Sequence, residues 1–203
     1  MITIVDYGAG NLGSIQNMLK KISEESVVSS SPEDIKNASK LILPGVGSFD
    51  YGMNQLHSRG LVDTLNQKVL EEKTPILGIC LGVQLFTKKS EEGNTAGLGW
   101  FEAETVKFNF PAESNLKIPN MGWQNTIIKK QSKLIHNLTS DARFYFVHSF
   151  HLKANENDTI LTANYGYDFA CGLEKNNIVG VQFHPEKSHK FGMQLLKNFA
   201  TFY

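Results

Sequence analysis

Cys80 stands in the run Pro75-Ile76-Leu77-Gly78-Ile79-Cys80-Leu81-Gly82-Val83-Gln84-Leu85-Phe86, with a glycine two places away on either side. An apolar strand that turns sharply into a helix strains its middle residue and crowds the neighbouring backbone, so it favours glycine at those two places. The middle side chain is thereby lifted to a sheet's carboxyl edge, against a helix N-terminus whose free amides favour a thiolate. A cysteine nucleophile needs a base, and the base needs an orienting group. His184 ends the apolar run Val179-Gly180-Val181-Gln182-Phe183, Pro185 stops the strand, and Glu186 follows two places on. A carboxylate so close holds one imidazole tautomer and stabilises its cation. His148, in Tyr145-Phe146-Val147-His148, is the rival base, but no carboxylate adjoins it. The developing oxyanion needs two donors. The Leu81 amide is one; the loop Pro44-Gly45-Val46-Gly47, after the apolar Leu41-Ile42-Leu43, offers the other from Val46 or Gly47. Cys171, in Phe169-Ala170-Cys171-Gly172, lacks the paired glycines and reads as a small apolar strand residue.

These residues need a scaffold, and the periodicity supplies one. Residues 1–7 form an apolar strand, and after Gly8-Ala9-Gly10-Asn11 the residues Leu12, Ile15, Leu19 and Ile22 share one helical face. Residues 26–30 form a weak strand, Ser31-Pro32-Glu33-Asp34 starts a helix, and residues 40–44 form a second strong strand. A helical region follows over 50–73, interrupted at Gly60; then come the strand before Cys80 and a helix carrying Leu81, Leu85 and Phe86. Strands buried on both faces and separated by helices imply a mostly parallel sheet covered on each side, with ligand chemistry at its carboxyl ends. The second half reads as short strands within 100–108, 123–130, 142–150, 159–165, 169–175 and 178–183, closer to a meander that forms a smaller antiparallel sheet. A last helix carries Met193, Leu196, Phe199 and Ala200. The expectation is one α/β domain over residues 1–203, with no repeat or linker dividing it.

The 20 basic and 20 acidic residues cancel, so no bulk field points to nucleic acid or a membrane surface. No run of eighteen apolar residues and no basic, apolar leader occurs, so a cytoplasmic protein with reduced thiols is expected. The glycosylation patterns at Asn137-Leu-Thr139 and Asn157-Asp-Thr159 carry no weight in that compartment. Neither a metal nor a cofactor is expected.

Residues 44–49 (PGVGSF), 78–84 (GICLGVQ) and 184–188 (HPEKS) together resemble the class I glutamine amidotransferases, glutaminases with a Cys-His-Glu triad. Within that class, residues 7–14 (YGAGNLGS), 90–93 (SEEG), 97–100 (GLGW), 119–123 (PNMGW) and 146–150 (FVHSF) resemble the glutaminase subunits of imidazole glycerol phosphate synthase. The match runs from Tyr7 to Phe199. It implies a flavodoxin-like fold in which L-glutamine forms a γ-glutamyl thioester on Cys80 and the ammonia released passes to a partner. Gly45, Gln84, Ser149 and Phe150 would then hold the substrate; Gln84 lies one helical turn beyond Cys80 on the same face. The implied partner is a (β/α)8 barrel cyclase forming a heterodimer, met by Asn11, Asn120, Met121, Trp123 and Lys187. The resemblance further implies that the Val46 peptide stays misaligned until the partner binds its own substrate.

Three positions depart from the family's usual pattern: Asn120 where histidine is common, Gln124 where asparagine is, and His189 where glycine is. They bear on the partner more than on glutamine chemistry. Two other readings share these residues: a paralogous glutaminase supplying ammonia for amidination of a bacterial surface sugar, and a stand-alone cysteine γ-glutamyl hydrolase.

Overall fold

The computed structural model describes residues 1–203. The first half alternates as its periodicity predicts, through β1 (Ile2–Val5), α1 (Leu12–Lys21), β2 (Ser26–Ser29), α2 (Pro32–Lys36), β3 (Lys40–Gly45), α3 (Phe49–Ser58), α4 (Leu61–Asn66), β4 (Ile76–Cys80) and α5 (Leu81–Leu85). Asn11 caps α1, its side chain accepting from the Ser14 amide, and Lys20 and Lys21 sit in the last turn, where the helix dipole favours cations. Gly60, in the left-handed region at φ 65°, separates α3 from α4, and a single π-helical turn over Gln67–Glu71 completes that helical region.

The second half contributes β5 (Glu104–Lys107), β6 (Asn120–Asn125), β7 (Ile127–Ile128), β8 (Arg143–His148), β9 (Phe150–Lys153), β10 (Thr159–Asn164), β11 (Asp168–Lys175), β12 (Ile178–Val181) and the final α6 (His189–Phe202). The main sheet runs β2-β1-β3-β4-β12-β11-β10-β7, with β9 on β11 and β5 on β9. Its first five strands are parallel, and pairing turns antiparallel from β12 onward. The expected small antiparallel sheet is present as β6 on β8, in register from Asn120↔His148 to Asn125↔Arg143. The remaining strands of the second half extend the main sheet instead of joining it. The expected strand over 123–130 is therefore split: Asn125 still pairs with β8, whereas Ile127 and Ile128 pair with β10. Choosing between two sheets depends on partners more than 15 residues away, which local pattern does not carry.

Alternation along the parallel strands fills two cores. Ile2, Ile4, Ile42, Leu77, Ile79, Val179 and Val181 pack with α1 and α6 on one face. Val5, Leu41, Leu43, Ile76 and Ile178 pack with α3, α4 and α5 on the other. A strand feeding both cores must be apolar at every position, which is why these segments read as continuous apolar runs. The register sets Gly45 beside Cys80 at the ends of β3 and β4, and β12 lies alongside β4, so His184 arrives just beyond the same edge. Three segments far apart in the chain thus deliver their ends to one place, as parallel sheets do.

Candidate active site

Cys80 adopts φ 54°, ψ −109°, a strained conformation for a residue with a side chain, between β4 and α5. Both flanking glycines are sterically required. A Cβ on Gly78 would stand 2.8 Å from the backbone of Val83, and one on Gly82 would fall on the Leu43 carbonyl oxygen. Leu81 opens α5, so its amide has no acceptor within the helix, and the residue lines the same cleft as Cys80. Across from it, Val46 is exposed and Gly47 takes φ 113°, a conformation that favours glycine.

His184 Nδ1 is 2.7 Å from Glu186 Oε1, and each side chain is only 2% exposed. The carboxylate accepts, so Nδ1 carries the proton and Nε2 is left for the thiol. Burial alone would lower the imidazole's pKa, but Cys80 and Glu186 outweigh it and hold His184 above its ordinary value. Cys80 is close enough to contribute to that rise, although the Nε2–Sγ pair falls short of hydrogen-bond geometry and Nε2 meets no partner. The turn that carries His184 is fastened to β8. The His184 amide donates to the Tyr145 carbonyl at 2.9 Å, the Tyr145 amide donates to Ser188 Oγ at 3.0 Å, and that hydroxyl donates to the His184 carbonyl at 2.6 Å.

The opposite wall comes from β8 and β9. His148 is buried, its pKa falls to about 3, mainly through desolvation, and it stays neutral. Its Nδ1 donates to the Phe150 carbonyl at 2.8 Å, and its Nε2 accepts from Asn120 Nδ2 at 3.0 Å. Asn120 Oδ1 in turn accepts from Gln124 Nε2 at 2.6 Å. With both ring nitrogens occupied and little affinity for a proton, His148 is excluded as the base. Between the walls lies a cleft of 380 Å³ lined by Val46, Gly47, Cys80, Leu81, Gln84, Val147, His148, Ser149, Phe150 and His184, with Glu92 and Pro119. A larger groove of 650 Å³ beside α1, around Gln16, Asn17, Lys20 and Glu24, is lined by neither a cysteine nor a histidine.

The structure therefore brings Cys80, His184, Glu186, Val46, Gly47, Leu81, Gln84, Ser149 and Phe150 to one place. Gly45 is not among the lining residues. It is buried at the end of β3, directly before the loop, where a Cβ would strike the Tyr7 hydroxyl and Leu81. Met121 and Trp123 are exposed on β6, 62% and 42% respectively, and Lys187 lies over the Tyr145 ring at 5.6 Å. Asn11 is exposed at the start of α1. Asn120 is fully buried because alternation along β6 turns it inward to His148, so it stands behind the exposed face and not on it. His189 takes φ 47° and stacks on Trp123 at 5.4 Å, which explains why glycine suits that position. Cys171 is fully buried, and burial pushes its thiol pKa well up.

Sequence reasoning gave no role to Gln182, Ser188 or Tyr7. Gln182 is fully buried, and its amide nitrogen lies 3.8 Å from Cys80 Sγ; the available signal was a lone amide inside an apolar run two places before His184. The Tyr7 hydroxyl is buried without a partner against Gly45, and burial raises its pKa. No local pattern marks it.

Residues 3–201 match the family model described as "Glutamine amidotransferase class-I". A protein of Methanococcus maripaludis named imidazole glycerol phosphate synthase subunit HisH 2 is 53% identical over 200 residues, covering 98% of each chain. One of Pseudomonas aeruginosa with the same name is 45% identical over 98% of each chain. The HisH subunit of Leptospira interrogans is 43% identical over 99% of this chain and 100% of its own. Among solved structures, a crystal structure of a glutamine amidotransferase superposes with TM-score 0.74 at 16% identity, over 98% of this chain and 96% of that one. The structure of PurLQS from Thermotoga maritima gives TM-score 0.69 at 17% identity, over 98% and 96%. The structural likenesses speak for the fold, and the sequence matches, nearly full length on both sides, carry the membership: this chain belongs to the class I glutamine amidotransferases and, within them, to the imidazole glycerol phosphate synthase HisH family.

Proposed function

We propose that this chain is the glutaminase subunit of an imidazole glycerol phosphate synthase, hydrolysing L-glutamine to glutamate and supplying ammonia to a (β/α)8 cyclase in histidine biosynthesis. The observation that carries the reading is the strained Cys80 beside the unpartnered His184 Nε2 in one cleft, in a chain 43–53% identical to named HisH subunits. All 203 residues act here as one glutaminase domain.

Glutamine enters with its carboxamide at Cys80 and its amino-acid end toward Gln84, Ser149 and Phe150. His184 Nε2 takes the Cys80 proton, and Glu186 stabilises the imidazolium through Nδ1–H. The thiolate attacks the carboxamide carbon. The oxyanion is held by the Leu81 amide and by an amide of the Val46–Gly47 loop. His184 then protonates the leaving nitrogen, ammonia departs, and the γ-glutamyl thioester remains on Cys80. Water, deprotonated by His184, attacks the thioester, the thiolate leaves, and glutamate is released.

The exposed Met121 and Trp123, with Lys187 beside Tyr145 on β8, form the face for the cyclase. Because Tyr145 also fixes the turn that carries His184, pressure on that face reaches the base through two hydrogen bonds. The test is to combine the chain with the cyclase of its source organism and follow glutamate release with and without the cyclase's substrate. The proposal expects slow hydrolysis alone and stimulation in the complex. Strong cleavage of γ-glutamyl peptides by the isolated chain would overturn it. No helix is long and apolar enough to cross a membrane.

A further inference from the structure

The Phe150 carbonyl accepts two hydrogen bonds, from His148 Nδ1 at 2.8 Å and from Gln84 Nε2 at 3.1 Å. A backbone carbonyl cannot exchange acceptor for donor, whereas a side-chain amide or an imidazole takes either sense. Phe150 therefore sets the direction of every group hung from it. Gln84 must turn its NH2 toward Phe150, and the same nitrogen donates to Gln182 Oε1 at 3.1 Å. With its carbonyl taken, Gln182 must carry its NH2 at the other edge, where it meets Cys80 Sγ at 3.8 Å. Turning Gln182 over would set NH2 against NH2, and turning Gln84 over as well would set its carbonyl against that of Phe150. Each alternative strands buried polar groups in a site where Gln182 is 0% and Gln84 only 5% exposed. His148, Asn120 and Gln124 obey the same rule on the other side and lock Phe150 from behind.

We propose that Gln182 is a further catalytic residue: its amide donates to the Cys80 thiolate, in an orientation imposed by the Phe150 carbonyl through Gln84. The proposal rests on the reading of Cys80 as nucleophile. A donor aimed at sulfur favours the ionised form before attack and fades once acylation removes the charge. It acts again when water adds to the thioester and the thiolate must leave. The apolar neighbours of Gln182 on β12 supply no competing partner, so its amide is committed to the sulfur.

The test is the rate at which Cys80 in the full-length chain is alkylated by iodoacetamide at neutral pH, beside kcat and KM for glutamine in the cyclase complex. Gln182→Met should slow alkylation and lower kcat about tenfold, the loss of one hydrogen bond to a charged acceptor, with KM little changed. Gln182→Glu should slow alkylation further, since a carboxylate opposes the thiolate. A merely structural role would lower the thermal midpoint of both variants and leave the alkylation rate of the folded protein unchanged, and that result would overturn the proposal. If the Gln182 variants fail to fold, Gln84→Met asks the same question from the cleft side. It frees the Gln182 amide to turn over and should slow alkylation by a smaller factor; an unchanged rate there would overturn the imposed orientation. Alkylation needs no glutamine turnover, so failure of the glutaminase reading and failure of this inference are separately visible.

Discussion

The two walls of the cleft each present a buried histidine, and the two have opposite electrostatics. On the elbow side, His184 has a carboxylate on Nδ1 and a thiol near Nε2, and its pKa is raised. On the other side, His148 has a carbonyl on Nδ1 and an amide donor on Nε2, and its pKa falls to about 3. Burial lowers both, so what separates a base from a spacer is the charge of the partner and whether one nitrogen is left free. The elbow wall is built to react, and the opposite wall is built to hold an orientation and to carry the exposed β6 face on its back.

That contrast can be broken most severely at the nucleophile. Cys80→Ala should lower glutamine-dependent synthesis by the complex on the order of 10⁴-fold or more while ammonia-dependent synthesis survives; loss of both, measured side by side, would deny the division of labour. His184→Ala should cost about 10³-fold in kcat, in the range of a lost general base, and His148→Gln far less. Equal losses would erase the distinction between the walls. Glu186→Gln should be milder, about 10²-fold, because the amide orients the ring without stabilising its cation; steady-state kinetics in the complex decides it. Trp123→Ala, on the back of the second wall, should weaken cyclase binding about tenfold by calorimetry and leave the fold intact. Stability separates the two histidines as well, within any one pH unit by no more than about a tenfold change. His148 is depressed from 6.5 to about 3, so the unfolded chain takes up the proton first as pH falls. Stability should decline below pH 6.5 with a slope of about 1.4 kcal/mol per pH unit from this group, and His148→Gln should flatten that slope in guanidinium unfolding. His184, raised, has the opposite sign: its contribution is complete below its unfolded value and is lost as pH rises toward its folded one.

The elbow wall was largely legible in the sequence because its determinants are local. Gly78, Gly82, Cys80, Pro185 and Glu186 act on neighbours a few residues away, and β1, β3 and β4 announce themselves as apolar runs. The opposite wall was not. Whether Asn120 faces solvent or His148 depends on its register with a strand 28 residues downstream, and the split at Thr126 depends on which of two sheets each end joins. Gln182 hid inside an apolar run, since its partners Gln84 and Cys80 are about 100 residues away in the chain. The family resemblance put Gly45 among the substrate-binding residues and Asn120 among those that meet the partner; no local pattern shows that Gly45 packs against Tyr7 or that alternation along β6 buries Asn120 against His148.

The central claim is that Cys80 carries the substrate covalently. Rapid acid quench of the cyclase complex turning over L-glutamine, followed by peptide mass spectrometry, reads this directly. The account predicts one γ-glutamyl group on the peptide containing Cys80, absent from Cys80→Ala and never found on Cys171. Turnover of glutamine with Cys80 unmodified at every quench time, or undiminished in Cys80→Ala, would contradict it.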